Sequence, residues 1–440
     1  MNPVFAKKKV HLVGVKGVGV TALAQILVAR GALVSGSDTE EVFFTDRVLQ
    51  KIGLNPTLFA KENITDDLDY VISSTAYFFD NQPQGENPEI AAALTKKIPI
   101  LTYPEALAKI AQEYKVIAVA GSNGKSTTTA MLGWILEAVG VDPTVLVGTK
   151  VLQWESNARV GQSEYLIIEA DEYREAFLEY QPDGLIILNI NYDHPDYFST
   201  EQDYEQAFVK LVRGVDSDGF ILLNGDNPKT TKLKTEAKTK KVFLFGSGEN
   251  ADWKTRTINL PSLPGKAYQE NANAAVYAAH LLGISIEKAV AAVEAFPGTA
   301  RRFEIVTQNK DYTLIDDYAH HPDAIEKTLE GIRSQNPEGK IIALFQPHTF
   351  SRTKALLQDF ARSFSVADEV AILPTYTSAR ETVGEITSQM LVAQIQKYHP
   401  NAKYLEVGEV SEFVKTRAGG GAIILGMGAG NIGDILRKVK

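Results

Sequence analysis

Short apolar segments that run into glycine-containing turns and then into helical segments recur along this chain of 440 residues. One unit begins at Val10–Val15 and continues into a helix predicted over Thr21–Arg30. Another begins at Val116–Ala120 and continues into a helix predicted from Thr127 to about Gly140. Strands that alternate with helices are typical of βαβ units, whose strands lie parallel in one sheet. The pattern therefore predicts an α/β protein with parallel sheets.

The predicted strands form three consecutive groups, and the chain is too long for one ordinary hydrophobic core. Domains usually have about 150 residues, so three domains are expected. We predict three consecutive α/β domains, an N-terminal domain over residues 1–110, a central domain over 111–297 and a C-terminal domain over 298–440. The segment Phe78–Pro88 is predicted to be a polar loop. The predicted strands are Val10–Val15, Leu33–Ser35, Tyr70–Ser73, Ile98–Leu101, Val116–Ala120, Tyr165–Ile168, Leu185–Leu188, Phe220–Leu223, Thr313–Ile315, Ile341–Phe345, Val370–Ile372 and Ala422–Leu425.

Charge and composition argue against several classes of protein. The chain has 45 basic and 54 acidic residues, a net charge of −9, and the six lysines within Lys229–Lys241 are interpreted as a solvated helix face. Nucleic acid is not an expected partner, because binding its phosphates needs clustered positive charge. The absence of cysteine excludes disulfides, thiol nucleophiles and cysteine–zinc sites, and it fits a reducing compartment, so a cytoplasmic location is predicted. No apolar run reaches the roughly 18 residues of a membrane span.

The glycine loop after the first predicted strand fits a phosphate-binding turn. The residues Gly17-x-Gly19-x-x-Ala22 match the G-x-G-x-x-G/A dinucleotide pattern between a strand and a helix. Glycines allow the backbone to approach a diphosphate, and the following helix offers unpaired N–H groups. Asp38 ends the next strand 19 residues after Gly19, where a ribose-binding carboxylate is expected. The alternative is a tight turn in which Asp38 caps a loop.

The glycine loop after Val116–Ala120 resembles a shortened P-loop. Residues Gly121–Ser126 read G-S-N-G-K-S and follow the G-x-x-G-K-[ST] form, with Val119 where the longer form has glycine. In such a loop the backbone N–H groups hold phosphates, the lysine neutralises their charge and the serine hydroxyl binds Mg²⁺. The loop therefore predicts a nucleotide-binding site in the central domain.

Acidic side chains follow another predicted strand of the central domain. Glu169, Asp171 and Glu172 come directly after Tyr165–Ile168. The carboxyl ends of parallel strands face the ligand crevice of an open α/β sheet, and carboxylate oxygens suit Mg²⁺. Glu169 adjoins the buried strand and is the stronger candidate, whereas Asp171 and Glu172 are equally well explained as a solvated strand end.

Histidines are few, and four of the seven follow predicted strands. These four are His194, His320, His321 and His348. A lone histidine is usually structural, and a pair can consist of a capping residue and a loop residue. Their position after strands favours a place in a crevice as metal ligands or proton acceptors. Gly426–Asn431 follows the last predicted strand and is predicted to supply a loop to the third domain.

Taken together, these motifs resemble those of the Mur ligases, the ATP-dependent amino-acid ligases that build the peptide stem of peptidoglycan. The resemblance covers essentially the whole chain. Each motif alone is modest, whereas their order and spacing together are highly specific. The segments that carry the resemblance are Val13–Ala24, Ser35–Asp38, Gly121–Thr129, Glu169–Glu172, Asp193-His194, Arg301–Phe303, Asp316–Pro322, Phe345–Thr353, Ala379–Glu381 and Gly428–Ile432.

The resemblance implies a three-domain ligase of peptidoglycan precursor synthesis. The N-terminal domain would be Rossmann-like and hold a UDP-sugar, and the central domain would be P-loop ATPase-like and bind ATP and Mg²⁺. The C-terminal domain would be Rossmann-like, close over the site and bring the amino acid. ATP would phosphorylate the substrate carboxylate, and an amine would then attack the acyl phosphate. The motifs are most similar to those of members that join L-alanine to UDP-N-acetylmuramate, so this reaction is expected, in a monomer or homodimer.

The resemblance also implies roles for individual residues. The UDP-sugar would contact Gly14, Val15, Lys16, Gly17, Val18, Gly19, Asp38 and Ser73. ATP would contact Gly121, Ser122, Asn123, Gly124, Lys125, Ser126, Thr127, Asn271, Arg302 and Asp317. Ser126 and Glu169 would bind one magnesium ion, and His194 would help to bind another. The amino acid would contact Tyr318, His320, His348 and Arg352. The expected catalytic residues are Lys125, Glu169, His194, His320, His348 and Arg352, with the three histidines equally open as the general base.

Three segments depart from the family pattern. Of the His-Asn pair and later Asn that contact adenine in the family, this chain keeps only Asn271, and Tyr268 is a candidate for stacking on the base instead. Thr349 stands where an arginine is usual, which leaves Arg352 as the arginine of its motif and the candidate for pairing with the amino-acid carboxylate. Glu172–Phe177 is closer to the family members that attach a recycled tripeptide.

Three alternative functions follow from these observations. A murein tripeptide ligase would use the same ATP site with a larger amine pocket. An NAD-dependent oxidoreductase would use the Gly17–Ala22 pattern, but it gives no role to Gly121–Ser126 or Glu169. A nucleotide-binding protein without catalysis is disfavoured because the expected catalytic residues of the central domain are all present.

Overall fold

The computed structural model describes residues 3–377 and 384–439, so the motif segment Ala379–Glu381 lies outside the described residues. Three main sheets follow one another along the chain, and helices connect their strands. All three sheets are mainly parallel, as the alternation of strands and helices predicts. In the part of the chain that the structure describes, no helix is both long and apolar enough to span a bilayer.

The N-terminal sheet lies within residues 9–102. The strands of this region are β1 (Lys9–Val13), β2 (Leu33–Asp38), β3 (Thr57–Leu58), β4 (Tyr70–Ser73), β5 (Phe78–Phe79), β6 (Gln82–Pro83) and β7 (Ile100–Thr102). The helices are α1 (Val18–Ala29), α2 (Phe44–Lys51), α3 (Pro88–Lys96) and α4 (Tyr103–Ala111). Five strands pair in parallel in the order β3-β2-β1-β4-β7.

The segment predicted as a polar loop over Phe78–Pro88 contains the antiparallel hairpin of β5 and β6. Asp80 and Asn81 connect its two strands and both adopt positive φ, at 52° and 55°. Two consecutive residues of this conformation form the turn that suits a two-residue hairpin, and aspartate and asparagine tolerate it best among residues other than glycine. The loop prediction was therefore incomplete, because it missed the hairpin that this two-residue turn allows.

The central sheet lies within residues 115–254. Its strands are β8 (Lys115–Ala120), β9 (Thr144–Val151), β10 (Ser156–Arg159), β11 (Tyr165–Glu169), β12 (Gly184–Ile187), β13 (Phe220–Asn224), β14 (Val242–Gly246) and β15 (Trp253–Lys254). The helices are α5 (Lys125–Ala138), α6 (Glu201–Gly214), α7 (Pro228–Lys232), α8 (Lys266–Leu281) and α9 (Ile286–Glu294). The order is β10-β9-β11-β8-β12-β13-β14-β15, with β10 antiparallel to β9. The lysine-rich segment Lys229–Lys241 is helical only in its first half.

The C-terminal sheet lies within residues 304–427. Its strands are β16 (Glu304–Gln308), β17 (Tyr312–Asp317), β18 (Ile341–Phe345), β19 (Glu369–Ile372), β20 (Ala402–Tyr404) and β21 (Ala422–Met427). The helices are α10 (Pro322–Gln335), α11 (Phe350–Ala355), α12 (Leu357–Arg362), α13 (Ser388–Ile395), α14 (Val410–Arg417) and α15 (Ile432–Arg437). The order is β16-β17-β21-β18-β19-β20, with β16 antiparallel to β17. Gly426 and Met427 of the predicted loop belong to β21 itself, and the residues from Gly428 to Asn431 follow this strand in the middle of the sheet.

The order of the strands brings the important loops together. In the central sheet β8 lies between β11 and β12, so the loops that follow these three strands meet at one edge. In the C-terminal sheet β17, β21 and β18 are neighbours, and the loops after β17 and β18 carry the predicted histidines. The chain between the sheets, at 103–114 and 255–303, contains the boundaries near 110 and 297, which stay predictions.

Candidate active site

The turn after β8 forms a cradle at the start of α5. Gly121 and Gly124 have φ values of +134° and +88°, which favour glycine. Asn189 holds the turn from β12: its main-chain oxygen accepts from Ser122 N at 3.2 Å, and its side-chain oxygen accepts from Asn123 N at 2.8 Å. Gly124 precedes α5 and offers no side chain to cap it. The first N–H groups of the helix therefore lack intrahelical partners and favour an anion at this end.

Lys125, the first residue of α5, is ion-paired inside the protein. Its Nζ lies 2.8 Å from Glu172 Oε2 and donates to Gly121 O at 2.6 Å. Glu172 is 1% exposed, and its other oxygen accepts from Tyr204 Oη at 3.1 Å. Burial alone would lower the pKa of Lys125, but the nearby carboxylates, chiefly Glu172, raise it above its ordinary value. Lys125 is therefore an ammonium group held by an internal carboxylate.

Ser126 and Glu169 lie together, as a shared magnesium ion requires. Ser126 Oγ donates to Glu169 Oε1 at 2.9 Å, and Glu169 Oε2 accepts from Gly148 N at 2.6 Å. Arg302, from the C-terminal part of the chain, donates from Nη2 to Ser126 Oγ at 3.2 Å. Hydroxyl and carboxylate oxygens are ligands that Mg²⁺ prefers, so this pair fits the ion.

A second group of potential metal ligands adjoins Lys125. Asp171, Glu172 and His194 each offer one atom, and these atoms lie within 4.8 Å of one another. Asp171 is exposed, whereas His194 Nε2 lies 3.8 Å from the buried Glu172 Oε1. The predicted metal ligands are thus divided between two places, Ser126 with Glu169 and His194 with its two acidic neighbours. This arrangement suits two ions better than one.

Asp193 connects the central and C-terminal parts of the chain. Its Oδ1 accepts from Arg352 Nε at 2.9 Å, and both side chains are buried. Its Oδ2 lies 3.9 Å from His194 Nε2 and 4.0 Å from His320 Nε2. Burial would raise the pKa of Asp193, but Arg352 and the neighbouring histidines hold it far below its ordinary value. Asp193 is therefore an anion surrounded by nitrogen-containing side chains.

His320 and His348 belong to the same cluster. His320 Nδ1 lies 2.9 Å from Tyr318 O, and burial together with Arg352 holds the pKa of His320 well below its ordinary value. His320 is therefore neutral near pH 7 and able to accept a proton. His348 Nδ1 lies 3.3 Å from Arg352 Nη1, and its ring stacks on Tyr376 with the centroids 5.9 Å apart.

His321 does not line the crevice, although its position after a strand favoured that. It caps α10, where its Nδ1 accepts from Asp323 N at 3.3 Å, and its Nε2 lies 3.1 Å from Tyr192 O of the central part. Asp323 Oδ2 in turn accepts from Asn191 Nδ2 at 2.9 Å and from Asn123 Nδ2 at 3.4 Å. His321 is therefore the capping member of the histidine pair, and the start of α10 is bound to the nucleotide cradle.

Tyr268, Asn271 and Asp317, which were predicted to contact ATP, are buried. Tyr268, the candidate for stacking, is 8% exposed and donates its hydroxyl to Asp317 Oδ2 at 3.2 Å. Asp317 also accepts from two main-chain N–H groups, each at 2.8 Å. Asn271 lies against the cradle, because a Cβ at Gly124 would contact its Oδ1. Tyr268 therefore supports Asp317, while Asn271 stays a candidate contact of the nucleotide.

The N-terminal glycine loop is held by the end of β2. Ser37 O accepts from Gly14 N at 3.0 Å and from Val15 N at 3.1 Å. Asp38 Oδ2 accepts from Lys16 N at 2.7 Å. Three consecutive N–H groups of the loop are thus bonded within the protein. Asp38 therefore caps the loop, as in the alternative interpretation, and its contact with a ribose stays a prediction.

The start of α1 is the part of this loop that remains available to a ligand. Gly17 precedes the helix and offers no side chain to cap it, so the N–H groups of Val18 and Gly19 lack intrahelical partners. Gly19 packs closely on α4, and a Cβ there would lie 2.9 Å from the ring of Tyr103. The side chain of Lys16 donates to two main-chain oxygens, at 2.9 and 2.8 Å.

Family models match the chain in three successive parts. The model described as Mur ligase family, catalytic domain, matches residues 9–115, the Mur ligase middle domain matches 119–283, and the Mur ligase, glutamate ligase domain, matches 301–430. A UDP-N-acetylmuramate--L-alanine ligase of Desulfitobacterium hafniense is 38% identical over 447 residues, which cover 96% of this chain and 97% of that relative. The chain belongs to the Mur ligase family.

Solved structures of other Mur ligases agree with this assignment. A UDP-N-acetylmuramate-alanine ligase from Thermotoga maritima is 26% identical, with a TM-score of 0.80 and 98% of each chain covered. A murein peptide ligase from Psychrobacter arcticus is 24% identical, with a TM-score of 0.72 and 98% of each chain covered, and this likeness concerns the fold alone. The predicted fold class, three consecutive α/β parts of the Mur ligase type, is confirmed.

All six predicted catalytic residues of this Mur ligase lie close together, with Ser126 and Arg302 beside them. The members of this cluster are Lys125, Ser126, Glu169, His194, Arg302, His320, His348 and Arg352. Ser73 lies apart in the N-terminal part, where it is buried and donates to Ser74 O at 2.9 Å. Sequence reasoning missed Glu172 and Asp193 as the partners of the lysine and the arginine. The available signal was their place in short polar runs directly after buried strands.

Proposed function

We propose that this Mur ligase uses ATP to join L-alanine to the carboxylate of UDP-N-acetylmuramate, with ADP and phosphate as the other products. The observation that carries the proposal is the continuous cluster from the nucleotide cradle at α5 to Arg352 and His320. The names of the relatives, UDP-N-acetylmuramate--L-alanine ligase, support the choice of substrates. A step in peptidoglycan precursor synthesis, a cytoplasmic location and a monomeric or homodimeric state are predictions of the same proposal.

Bringing two anions together is the main electrostatic difficulty of this reaction. The sugar carboxylate and the terminal phosphate of ATP repel each other, so positive charge must lie close to both. Lys125 and the N–H groups at the start of α5 supply part of that charge. Ser126 and Glu169 would hold Mg²⁺, with His194 at a second ion, and magnesium would screen the phosphates. The carboxylate oxygen then attacks the terminal phosphorus, ADP leaves and an acyl phosphate forms.

The amine must be neutral before it attacks the acyl phosphate. His320 is the general base that the geometry supports best, because it is neutral at pH 7 and its Nε2 faces Asp193 at 4.0 Å. Arg352 supplies the positive charge for the carboxylate of the amino acid, and Asp193 keeps it in position. The amine nitrogen bonds to the acyl carbon, and phosphate leaves from the tetrahedral intermediate.

The decisive experiment is a screen of amines with UDP-N-acetylmuramate, ATP and Mg²⁺, in which phosphate release is measured. L-Alanine should support turnover, and the murein tripeptide should not. Turnover with the tripeptide but not with L-alanine would identify the recycling activity instead.

A further inference from the structure

A buried polar cluster lies inside the N-terminal part, beneath the glycine loop. It consists of His11, Ser37 and Glu89, each of which is at most 1% exposed. Ser37 Oγ donates to Glu89 Oε2, and His11 Nε2 lies 3.3 Å from Ser37 Oγ and 3.5 Å from Glu89 Oε2. His11 Nδ1 lies 2.8 Å from Ser35 Oγ. The cluster therefore links β1, β2 and α3.

Glu89 is an anion enclosed by protein. Its second carboxylate oxygen accepts from Asn63 Nδ2 at 2.5 Å and from Ala60 N at 3.2 Å. Burial would raise the pKa of Glu89, but the bonds from His11, Ser37 and Asn63 lower it. Well-packed apolar residues of similar volume often stabilise a core as much as a buried ionic cluster does. A polar cluster in this position therefore suggests a role beyond stability.

The link from the cluster to the glycine loop runs through Ser37. The hydroxyl of Ser37 belongs to the cluster, and its main-chain oxygen accepts from both Gly14 N and Val15 N. The next residue, Asp38, accepts from Lys16 N. A shift of Ser37 would therefore move three consecutive N–H groups and, with them, the start of α1.

We propose that His11 and Glu89 are positioning residues that act through Ser37 to fix the glycine loop in the geometry in which the start of α1 binds the diphosphate of the UDP-sugar. The proposal rests on the proposed function for the identity of that ligand. His11 and Glu89 lie below the loop and act without touching the ligand. A loop that is fixed in advance loses less conformational freedom on binding, so the affinity for the ligand is higher.

Two variants and a matched control test this role. Glu89→Gln keeps the size of the side chain but removes its charge, and Ser37→Ala removes only the hydroxyl. The control is Ile90→Val, which trims a fully buried residue of the same helix that lies in an apolar cluster. The dissociation constant of UDP-N-acetylmuramate is measured by calorimetry without ATP, together with kcat at saturation and the KM for ATP.

The expected result is weaker binding of the UDP-sugar, with kcat and the KM for ATP nearly unchanged. Both variants should raise its dissociation constant about tenfold, as losses of supporting residues commonly do, while kcat and the KM for ATP stay within about twofold. Ile90→Val should lower the thermal midpoint without changing the dissociation constant. An increase in the dissociation constant no larger than that of Ile90→Val would overturn the proposal.

Hydrogen exchange of the loop is a readout that does not depend on the ligand. Both variants should accelerate exchange in the peptide that contains Gly14 and Val15, and the control should not. Unchanged exchange in both variants would overturn the proposal. If the wild type binds no UDP-sugar, the proposed function fails, but accelerated exchange still supports the link. If Glu89→Gln does not fold, Ser37→Ala decides the question.

Discussion

At the scale of single residues, the proposed function assigns the phosphate-binding charge of the site to Lys125. Lys125→Ala removes this charge and leaves Glu172 as a buried carboxylate without its ion pair. We expect kcat/KM for ATP-dependent phosphate release to fall at least about a hundredfold, as for the loss of one preorganised donor. Lys115→Ala, which removes an exposed lysine paired with Glu164, should keep the wild-type rate. Undiminished ligation by Lys125→Ala would contradict the mechanism.

His320 makes the stability of the protein depend on pH. The unfolded chain binds a proton near the ordinary histidine pKa of about 6.5, whereas burial and Arg352 lower the pKa of His320 in the folded protein. Stability should therefore fall as the pH drops below about 6.5, because the unfolded state binds more protons.

We expect the thermal midpoint to fall less for His320→Gln than for the wild type between about pH 7.5 and about pH 5.5, the range in which histidine titrates. Calorimetry of both proteins at both pH values measures the two decreases in thermal midpoint. Equal falls would show that folding does not lower the pKa of His320.

At the scale of elements, the contact of α1 with α4 restricts residue 19. Gly19→Ala would place a Cβ 2.9 Å from the ring of Tyr103, the first residue of α4. Overpacking of this kind costs about 1–3 kcal/mol, so both the thermal midpoint and the affinity for the UDP-sugar should fall. Gly214→Ala is the control. Gly214 is the last residue of α6, and no described atom lies within 4 Å of a Cβ added there, so this substitution should have little effect. Normal UDP-sugar binding by Gly19→Ala would show that the start of α1 is not the binding element.

The central strands and their glycine loops were predictable because their signals are local. β8 is a continuous apolar run covered on both faces, and a glycine turn follows it directly. The starts of α1 and α5 were placed too late by three and two residues, since Gly17 and Gly124 lead directly into the helices. The hairpin in Phe78–Pro88 was missed because it depends on two residues with positive φ and not on an apolar pattern.

The pairing of side chains between different parts of the fold could not be predicted from sequence patterns. Arg352 was predicted to pair with the amino-acid carboxylate, which stays a prediction, but the sequence did not show that its Nε is bonded to Asp193, which lies 159 positions away. Such a pair depends on how the C-terminal and central sheets face each other. Tyr268 and Asp38 were likewise assigned to ligands, whereas each bonds to protein groups that only the fold brings near.

At the scale of the whole molecule, the pair Asp193–Arg352 holds the C-terminal part on the central part. Removing one partner leaves an uncompensated buried charge, which typically costs about 3–5 kcal/mol. We expect Asp193→Asn to lower kcat and to increase the radius of gyration measured by small-angle scattering. Asp368→Asn, which alters a partly exposed ion pair with Arg333 inside the C-terminal part, is the control and should change neither. A compact and fully active Asp193→Asn variant would refute the linking role.

In the proposed function, the ion pair between Lys125 and Glu172 would make ATP binding an exchange of anions. An incoming phosphate must replace a carboxylate that the fold keeps 2.8 Å from the ammonium group. Because Glu172 is tethered in the site, its carboxylate competes for Lys125 at a high effective concentration. A single phosphate would displace it less readily than a polyphosphate that binds together with magnesium. After each turnover the Glu172 carboxylate would again be close to Lys125. On this proposal, Glu172 would disfavour single anions on entry and help to displace the products on exit.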